Sequence, residues 1–175
     1  MASPEQRLAR YLDIEHRLNR FFSGFDYCLR ECVQPFLDAH PDTPCTACCT
    51  DRYYQKYDLD TPAYTLLTRE RVRLYGSPAD HASRCPETPC EYHTQQGCLL
   101  FTHKSPICLS FMCRESIDYL RENIGIYTYD YLGVYYALEW LLTGDLPESE
   151  RMCLIQDIDE MTRRIENHVS TQRIP

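Results

Sequence analysis

The carboxyl-terminal part of the chain, residues 147–170, reads PESERMCLIQDIDEMTRRIENHVS. Its apolar residues recur at spacings of four, three, four and four: Leu154, Ile158, Met161, Ile165 and Val169. This spacing places them on one face of an α-helix, because residues three and four apart lie on the same side of it. An amphipathic helix of this length buries its apolar face against a partner, so the stretch predicts a helical bundle.

The amino-terminal part of the chain predicts that partner. Ser3 suits an N-cap, Pro4 fits the first helical position, and Gln6 stands three residues after the cap, which is the capping-box pattern. The residues that follow keep one face apolar: Leu8, Tyr11, Leu12, Leu18, Phe22 and Phe25. A bend is expected at 23–24, before a second helical stretch that ends near Pro41.

Three further helices are predicted between these two ends. Thr61 and Pro62 begin a short helix that ends at Gly76. Residues 116–123 predict another short helix, and residues 129–143 are apolar nearly all round, which is typical of a buried, central helix.

Strand patterns are scarce, and residues 99–101 are the only short candidate. The sequence therefore predicts a single all-α domain over 1–175, a small bundle of about five helices. Residues 1–40 and 116–175 supply most of its helices. Residues 41–115 form a long irregular cysteine-rich, metal-binding insertion, interrupted by the short helix.

Composition and charge exclude several classes of partner. The 175 residues contain 18 Lys and Arg against 26 Asp and Glu, a net charge of −8, which opposes binding to nucleic acid or to an anionic membrane surface. The longest apolar stretch, 131–142, is shorter than the roughly 20 residues that cross a bilayer. The polar amino terminus lacks the apolar centre of a signal peptide. We expect a cytoplasmic protein without a nucleic-acid or membrane partner, and the sequence indicates no particular protein partner.

Cysteine is the unusual component of this chain. Of eleven cysteines, eight fall between residues 45 and 113: Cys45, Cys48, Cys49, Cys85, Cys90, Cys98, Cys108 and Cys113. A reducing compartment discourages disulfides, and cores use free cysteine sparingly. Thiolates are soft ligands that suit zinc or iron, and a two-residue separation lets both sulfurs reach one metal. We therefore predict that these eight residues hold zinc or an iron–sulfur cluster.

Several assignments stay open at this stage. Neighbouring side chains diverge, so one of Cys48 and Cys49 ligates a given ion while the other serves a second metal or packs. His93 and His103 lie close to the cysteines and are candidates to complete a coordination shell. The three cysteines outside the cluster, Cys28, Cys32 and Cys153, are interpreted as small hydrophobic core residues. A disulfide framework is the less favoured alternative for an odd number of cysteines.

The cluster resembles a known family. Cys90, Gly97-Cys98, Cys108 and Cys113, with Phe111 before the last cysteine, and the run Cys45-Thr-Ala-Cys48-Cys49 are similar to the YkgJ-type cysteine-cluster proteins, described as zinc- or iron-chelating domains and named for a CxxCxxCC motif. The resemblance covers residues 45–113. Asp42 stands where the motif has its first cysteine, so the resemblance implies a metal-binding domain in which Asp42, Cys85 or a histidine completes the ligand set.

Catalytic signatures are absent from the sequence. It contains no G-x-G-x-x-G, P-loop, H-E-x-x-H or G-x-S-x-G motif, so no catalytic residue is predicted. We expect a metal-binding protein that is not catalytic by itself. A redox or metal-dependent enzyme and a metallochaperone are the alternatives.

Overall fold

A computed structural model describes residues 2–42, 57–77, 91–94 and 97–172 of the chain. The α-helices of these residues are α1 (Pro4–Gly24), α2 (Gln34–Ala39), α3 (Pro62–Tyr75), α4 (Pro106–Ser110), α5 (Arg114–Tyr119), α6 (Tyr131–Thr143) and α7 (Glu148–Gln172). Two π-helical turns, Leu29–Val33 and Leu120–Ile124, precede α2 and follow α5. Strands β1 (His93–Thr94) and β2 (Gly97–Cys98) form a small antiparallel hairpin. The predicted all-α class is confirmed.

Local capping signals determine where the long helices begin. Ser3 accepts a hydrogen bond from the backbone N–H of Gln6, whose side chain accepts one from the Ser3 N–H, so the predicted capping box is present. Thr61 likewise accepts from the N–H of Tyr64 and starts α3, which ends before Gly76. Gly76 has φ 80°, a conformation that favours glycine.

Helix α1 lies at the centre of the bundle and packs against α3, α6 and α7. Its fully buried residues include Tyr11, Ile14, Leu18 and Phe21, and α7 contributes Ile158, Met161 and Ile165 to the same core. Arg17 and Arg20 on α1 make ion pairs across the exposed seam with Asp159 and Glu166 on α7. The predicted pairing of the two terminal helices is therefore confirmed.

Helix α6 is buried on one side and partly exposed on the other. Val134, Leu138, Leu141 and Leu142 are buried, but Leu132, Tyr136 and Trp140 are each nearly half exposed. Helix α6 packs against α1, α4 and α3 on its buried side, and its other side is partly exposed.

The segment between β2 and α5 also differs from expectation. The predicted strand at 99–101 does not form, and pairing occurs instead between His93 and Cys98 and between Thr94 and Gly97. Residues 101–103 form a bend, and side chains of α1 and α3 hydrogen-bond to residues 102–104. Pro106 then begins α4, a short helix within residues that the sequence predicts to be irregular.

Within the described residues, no helix has both the length and the apolar composition to span a bilayer.

Candidate metal centre

Three of the eight predicted cysteine ligands lie in the described part of the chain, namely Cys98, Cys108 and Cys113. The other five, Cys45, Cys48, Cys49, Cys85 and Cys90, lie outside the described residues. Within the described ranges, no three His, Cys, Asp or Glu side chains are placed to hold a metal ion. The metal centre therefore stays a prediction. The structure gives the burial and the hydrogen-bond partners of the three described thiols.

The hairpin brings together two of the predicted donors. His93 and Cys98 are directly opposite in the antiparallel pair, so their side chains emerge on the same face, with Cβ atoms about 5 Å apart. His93 is 3% exposed, whereas Cys98 is exposed to solvent. The backbone N–H of Leu100 donates a hydrogen bond to Cys98 Sγ, with an N-to-S distance of 3.4 Å.

Helix α4 carries Cys108, the second described cysteine of the predicted cluster. Cys108 is in its first turn and is exposed, while Leu109 and Ser110 on the opposite side are buried. Ser105, the N-cap residue of α4, donates its hydroxyl hydrogen to Cys108 Sγ at 3.1 Å. The expectation that Cys108 lies in irregular chain is wrong, since the helix fixes its direction.

The segment that leads into α4 is hydrogen-bonded to Glu15, a buried residue of α1. Glu15 is 1% exposed and accepts hydrogen bonds from the backbone N–H groups of His103 (2.8 Å) and Lys104 (2.9 Å). The hydroxyl of Tyr11 donates to the Lys104 carbonyl at 2.7 Å. Two residues of α1 thus hold the two peptide groups that precede Ser105 and α4.

Two side chains of helix α3 form hydrogen bonds with the backbone of the same segment, at residues 102 and 103. Arg71 Nε donates to the His103 carbonyl at 2.6 Å, and the hydroxyl of Tyr75 accepts from the Thr102 N–H at 2.9 Å. His103 has φ 62°, an uncommon value for a residue with a side chain. Glu15 accepts from the His103 N–H, and Arg71 donates to the His103 carbonyl. Together these two hydrogen bonds stabilise the strained backbone conformation of His103.

Burial and nearby charges shift the pKa values of Glu15 and His103. Burial raises the pKa of Glu15, against the opposing effects of its two backbone hydrogen bonds and of the positive charges of Lys104 and Arg71. Burial also lowers the pKa of His103, and Arg71 lowers it further. The Nδ1 atom of the His103 imidazole lies 3.0 Å from the hydroxyl oxygen of Thr102.

The third described cysteine of the predicted cluster, Cys113, is the N-cap residue of α5 and is half-buried. Its sulfur lies 3.1 Å from the hydroxyl oxygen of Ser116, one turn into the helix. The same oxygen lies 3.0 Å from the sulfur of Cys28, which precedes the first π-helical turn. Burial, opposed by the Ser116 hydrogen bond and reinforced by the charges of Cys113 and Cys32, raises the pKa of Cys28.

The three cysteines outside the predicted cluster are not all core residues. Cys28 is half-buried and packs at the edge of the hydrophobic core, but Cys32 and Cys153 are exposed. The interpretation of Cys32 and Cys153 as core hydrophobes is wrong, because neither side chain faces the packed interior.

Asp42, which stands at the place of the missing motif cysteine, lies exposed in a turn after α2. No contact within the described ranges brings it to Cys98, Cys108 or Cys113. Its proposed role as a compensating ligand stays untested.

Four residues around the described thiols were not predicted as site residues: Ser105, Ser116, Glu15 and Arg71, the last of which is buried. The two serines had a usable signal, since each stands three residues from a cysteine within a helical turn. Glu15 and Arg71 had none, because their contacts with residues 103–104 join parts of the chain far apart in sequence.

Comparison with protein families, with curated proteins and with solved structures found no match for this chain.

Proposed function

We propose that this chain is a cytoplasmic metal-binding protein whose clustered cysteine thiolates hold zinc or an iron–sulfur cluster, without catalytic activity of its own. The observation that carries the proposal is that all three described cysteines of the predicted cluster have a polar hydrogen-bonding group at the sulfur. The Leu100 N–H donates to Cys98 Sγ, the Ser105 hydroxyl donates to Cys108 Sγ, and the Ser116 hydroxyl is hydrogen-bonded to Cys113 Sγ.

The donors at Cys98 and Cys108 favour the form of sulfur that binds metal. A hydrogen bond to the charged form of a group stabilises that form, and the thiolate rather than the thiol is the metal ligand. A small hydrophobic role for these cysteines would need no polar donor at the sulfur, and Cys98 and Cys108 are exposed. Hydrogen bonds to ligating sulfurs also tune the potential of an iron–sulfur cluster.

The anchoring of residues 103–104 supports the same function. A metal site binds more tightly when the ligands are held before the metal arrives, because less conformational entropy is lost on binding. Glu15, Tyr11 and Arg71 hold the chain directly before Cys108 against two helices of the bundle. The buried carboxylate thus serves to position a predicted ligand segment.

The donor set suits both metals. Sulfur ligands with a neighbouring imidazole are typical of zinc, and all-sulfur sets are typical of iron–sulfur clusters. One tetrahedral zinc ion or one cluster takes four protein ligands, and eight cysteines are predicted. We therefore expect one or two centres in each chain.

The proposal is tested by serine substitution at two described ligands. Cys108→Ser and Cys113→Ser are compared with Cys153→Ser, a control at an exposed position on α7. Protein is purified without oxygen, and iron, zinc and acid-labile sulfide are counted per chain. We expect both ligand variants to lose metal and to melt at a lower temperature than the wild type, because metal affinity contributes to folding when ligands are ordered by the metal. The control should keep its metal.

Unchanged metal content in both ligand variants would contradict the proposal. The colour of the preparation separates the two metals: a brown protein that bleaches on reduction contains an iron–sulfur cluster, and a colourless protein with stoichiometric zinc contains a zinc site.

A further inference from the structure

Two thiols from remote parts of the chain meet at one buried serine. Cys28 and Cys113 lie far apart in sequence, yet both sulfurs are close to the hydroxyl oxygen of Ser116, at 3.0 and 3.1 Å. The two sulfurs therefore cannot be farther apart than these two distances combined. Ser116 is fully buried and both cysteines are half-buried, so the pair lies at the edge of the core.

Contacts on either side of Cys28 hold this part of the chain against α5. The rings of Tyr27 and Tyr119 lie 4.5 Å apart, and those of Phe25 and Tyr119 lie 6.1 Å apart, centroid to centroid. The Arg30 guanidinium donates to the Tyr119 hydroxyl at 3.5 Å. The approach of the two thiols thus follows from the packing of two segments and does not depend on one side chain alone.

The arrangement suits a bond between two thiols. Within the described ranges, no three His, Cys, Asp or Glu side chains are placed to hold a metal ion, whereas a disulfide needs two sulfurs only. To form it, the sulfurs of Cys28 and Cys113 must leave the Ser116 hydroxyl and approach to about 2.0 Å.

We propose that Cys28 and Cys113 are a redox pair that forms a reversible disulfide in the metal-free protein. The oxidant is a small-molecule disulfide such as oxidised glutathione. One cysteine thiolate attacks its S–S bond, forms a mixed disulfide and expels one thiolate. The other cysteine thiolate then attacks the mixed disulfide and expels the second one. The cysteines are oxidised, the small molecule is reduced, and the two protons that the cysteines lose are taken up by the two expelled thiolates.

The bond joins the chain at the end of α1 to the start of α5. A disulfide in a reducing compartment is typically transient and serves redox sensing. The thiolate is the form of sulfur that binds metal, so oxidation removes Cys113 from the predicted ligand set. The bond itself does not depend on the proposed function, because it requires the two thiols alone.

Peptide mapping of the wild-type protein tests the pair without any variant. Reduced, chelator-treated protein, with its helical circular dichroism verified, is incubated with oxidised glutathione, alkylated and cleaved with trypsin. Peptide 21–30 contains Cys28 as its one cysteine, and peptide 105–114 contains Cys108 and Cys113, so fragment ions assign the bond. We expect 21–30 to be joined to 105–114 through Cys113, and a dithiol reductant to separate them. Recovery of 21–30 alkylated, joined to glutathione or joined to another cysteine would overturn the inference.

Thermal unfolding of the same metal-free protein gives a second measurement. A cross-link between remote residues restricts the unfolded chain, so we expect oxidation to raise the melting temperature of the wild type by several degrees. The rise should be absent or smaller in Cys28→Ser and fully present in Cys153→Ser, the control at an exposed position on α7. No rise in the wild type, or an equal rise in Cys28→Ser, would overturn the inference. Since both measurements use metal-free protein, either result leaves the proposed metal-binding function standing.

Discussion

At the scale of single residues, Glu15 shows how a buried charge can serve a neighbouring site. Its carboxylate is almost completely removed from water, which costs free energy unless hydrogen bonds replace the lost hydration. The N–H groups of His103 and Lys104 supply those bonds, and the positive charges of Lys104 and Arg71 lie close by. The result is a fixed path for the chain that leads to Cys108.

Glu15→Gln tests this anchor. The amide offers one acceptor oxygen where the carboxylate offers two, so one buried N–H loses its partner, and we expect the free energy of unfolding to fall by about 1–3 kcal/mol. The exposed Glu150→Gln on α7 is the control and should change it little. Urea unfolding measures both, and equal stability of Glu15→Gln and wild type would contradict the anchoring role.

The pH dependence of the same variant has a definite sign. The pKa of Glu15 is raised above its ordinary value of 4.5, so the folded protein binds the proton more tightly than the unfolded chain. This stability is fully present below pH 4.5 and is lost as the pH rises through the raised pKa. Between pH 4.5 and neutrality the wild type should therefore lose stability that Glu15→Gln does not lose. Melting temperatures across that range measure the difference, and parallel curves would contradict it.

Two buried serines provide a matched comparison. Ser116 and Ser110 are both fully buried, but the Ser116 hydroxyl contacts two sulfurs, whereas no hydrogen-bond partner within the described ranges is found for Ser110 Oγ. We expect Ser116→Ala to lower the free energy of unfolding by about 1 kcal/mol, and Ser110→Ala to leave it unchanged or raise it. Thermal unfolding measures both, and the opposite ranking would contradict the assigned contacts.

At the scale of elements, the parts that could be predicted are those specified by local signals. Ser3 with Gln6 and Thr61 with Pro62 each determine a helix start within four residues of sequence, and Gly76 ends α3. Ser105 and Pro106 repeat the same start signal for α4, but the surrounding cysteines and prolines favoured an interpretation as irregular chain.

The elements that could not be predicted depend on tertiary contacts. The hairpin forms between segments of two residues, which is too short for an alternating pattern. One side of α6 is exposed because no other described helix packs against it. The hydropathy of the sequence does not show which side of an apolar helix has neighbours. The approach of Cys28 to Cys113 depends likewise on how the helices pack.

The pairing of α1 with α7 can be tested on α7 itself. Ile158 is fully buried in the core, whereas Met152 on the same helix is 42% exposed. We expect Ile158→Ala to lower the free energy of unfolding by about 2–5 kcal/mol, because it removes buried apolar surface and leaves a cavity. Met152→Ala should cost far less. Urea unfolding distinguishes them, and a similar cost for both would contradict the packing of α7.

At the scale of the whole molecule, the helices that form most of the hydrophobic core contain none of the predicted metal ligands. The core is formed chiefly by α1, α3, α6 and α7, and none of the eight predicted ligands belongs to these helices. Removal of metal by a chelator should therefore lower the melting temperature while most of the helical circular dichroism is kept. Complete loss of helical signal on chelation would show that the bundle depends on the metal.

The central claim is that the clustered thiols bind metal, and its most direct test is the metal stoichiometry of wild-type protein purified under reduced, oxygen-free conditions. Iron, zinc and acid-labile sulfide are counted per folded chain, with folding verified by circular dichroism. We predict at least one zinc ion or one iron–sulfur cluster per chain. A folded, fully reduced protein that contains neither metal would contradict the claim.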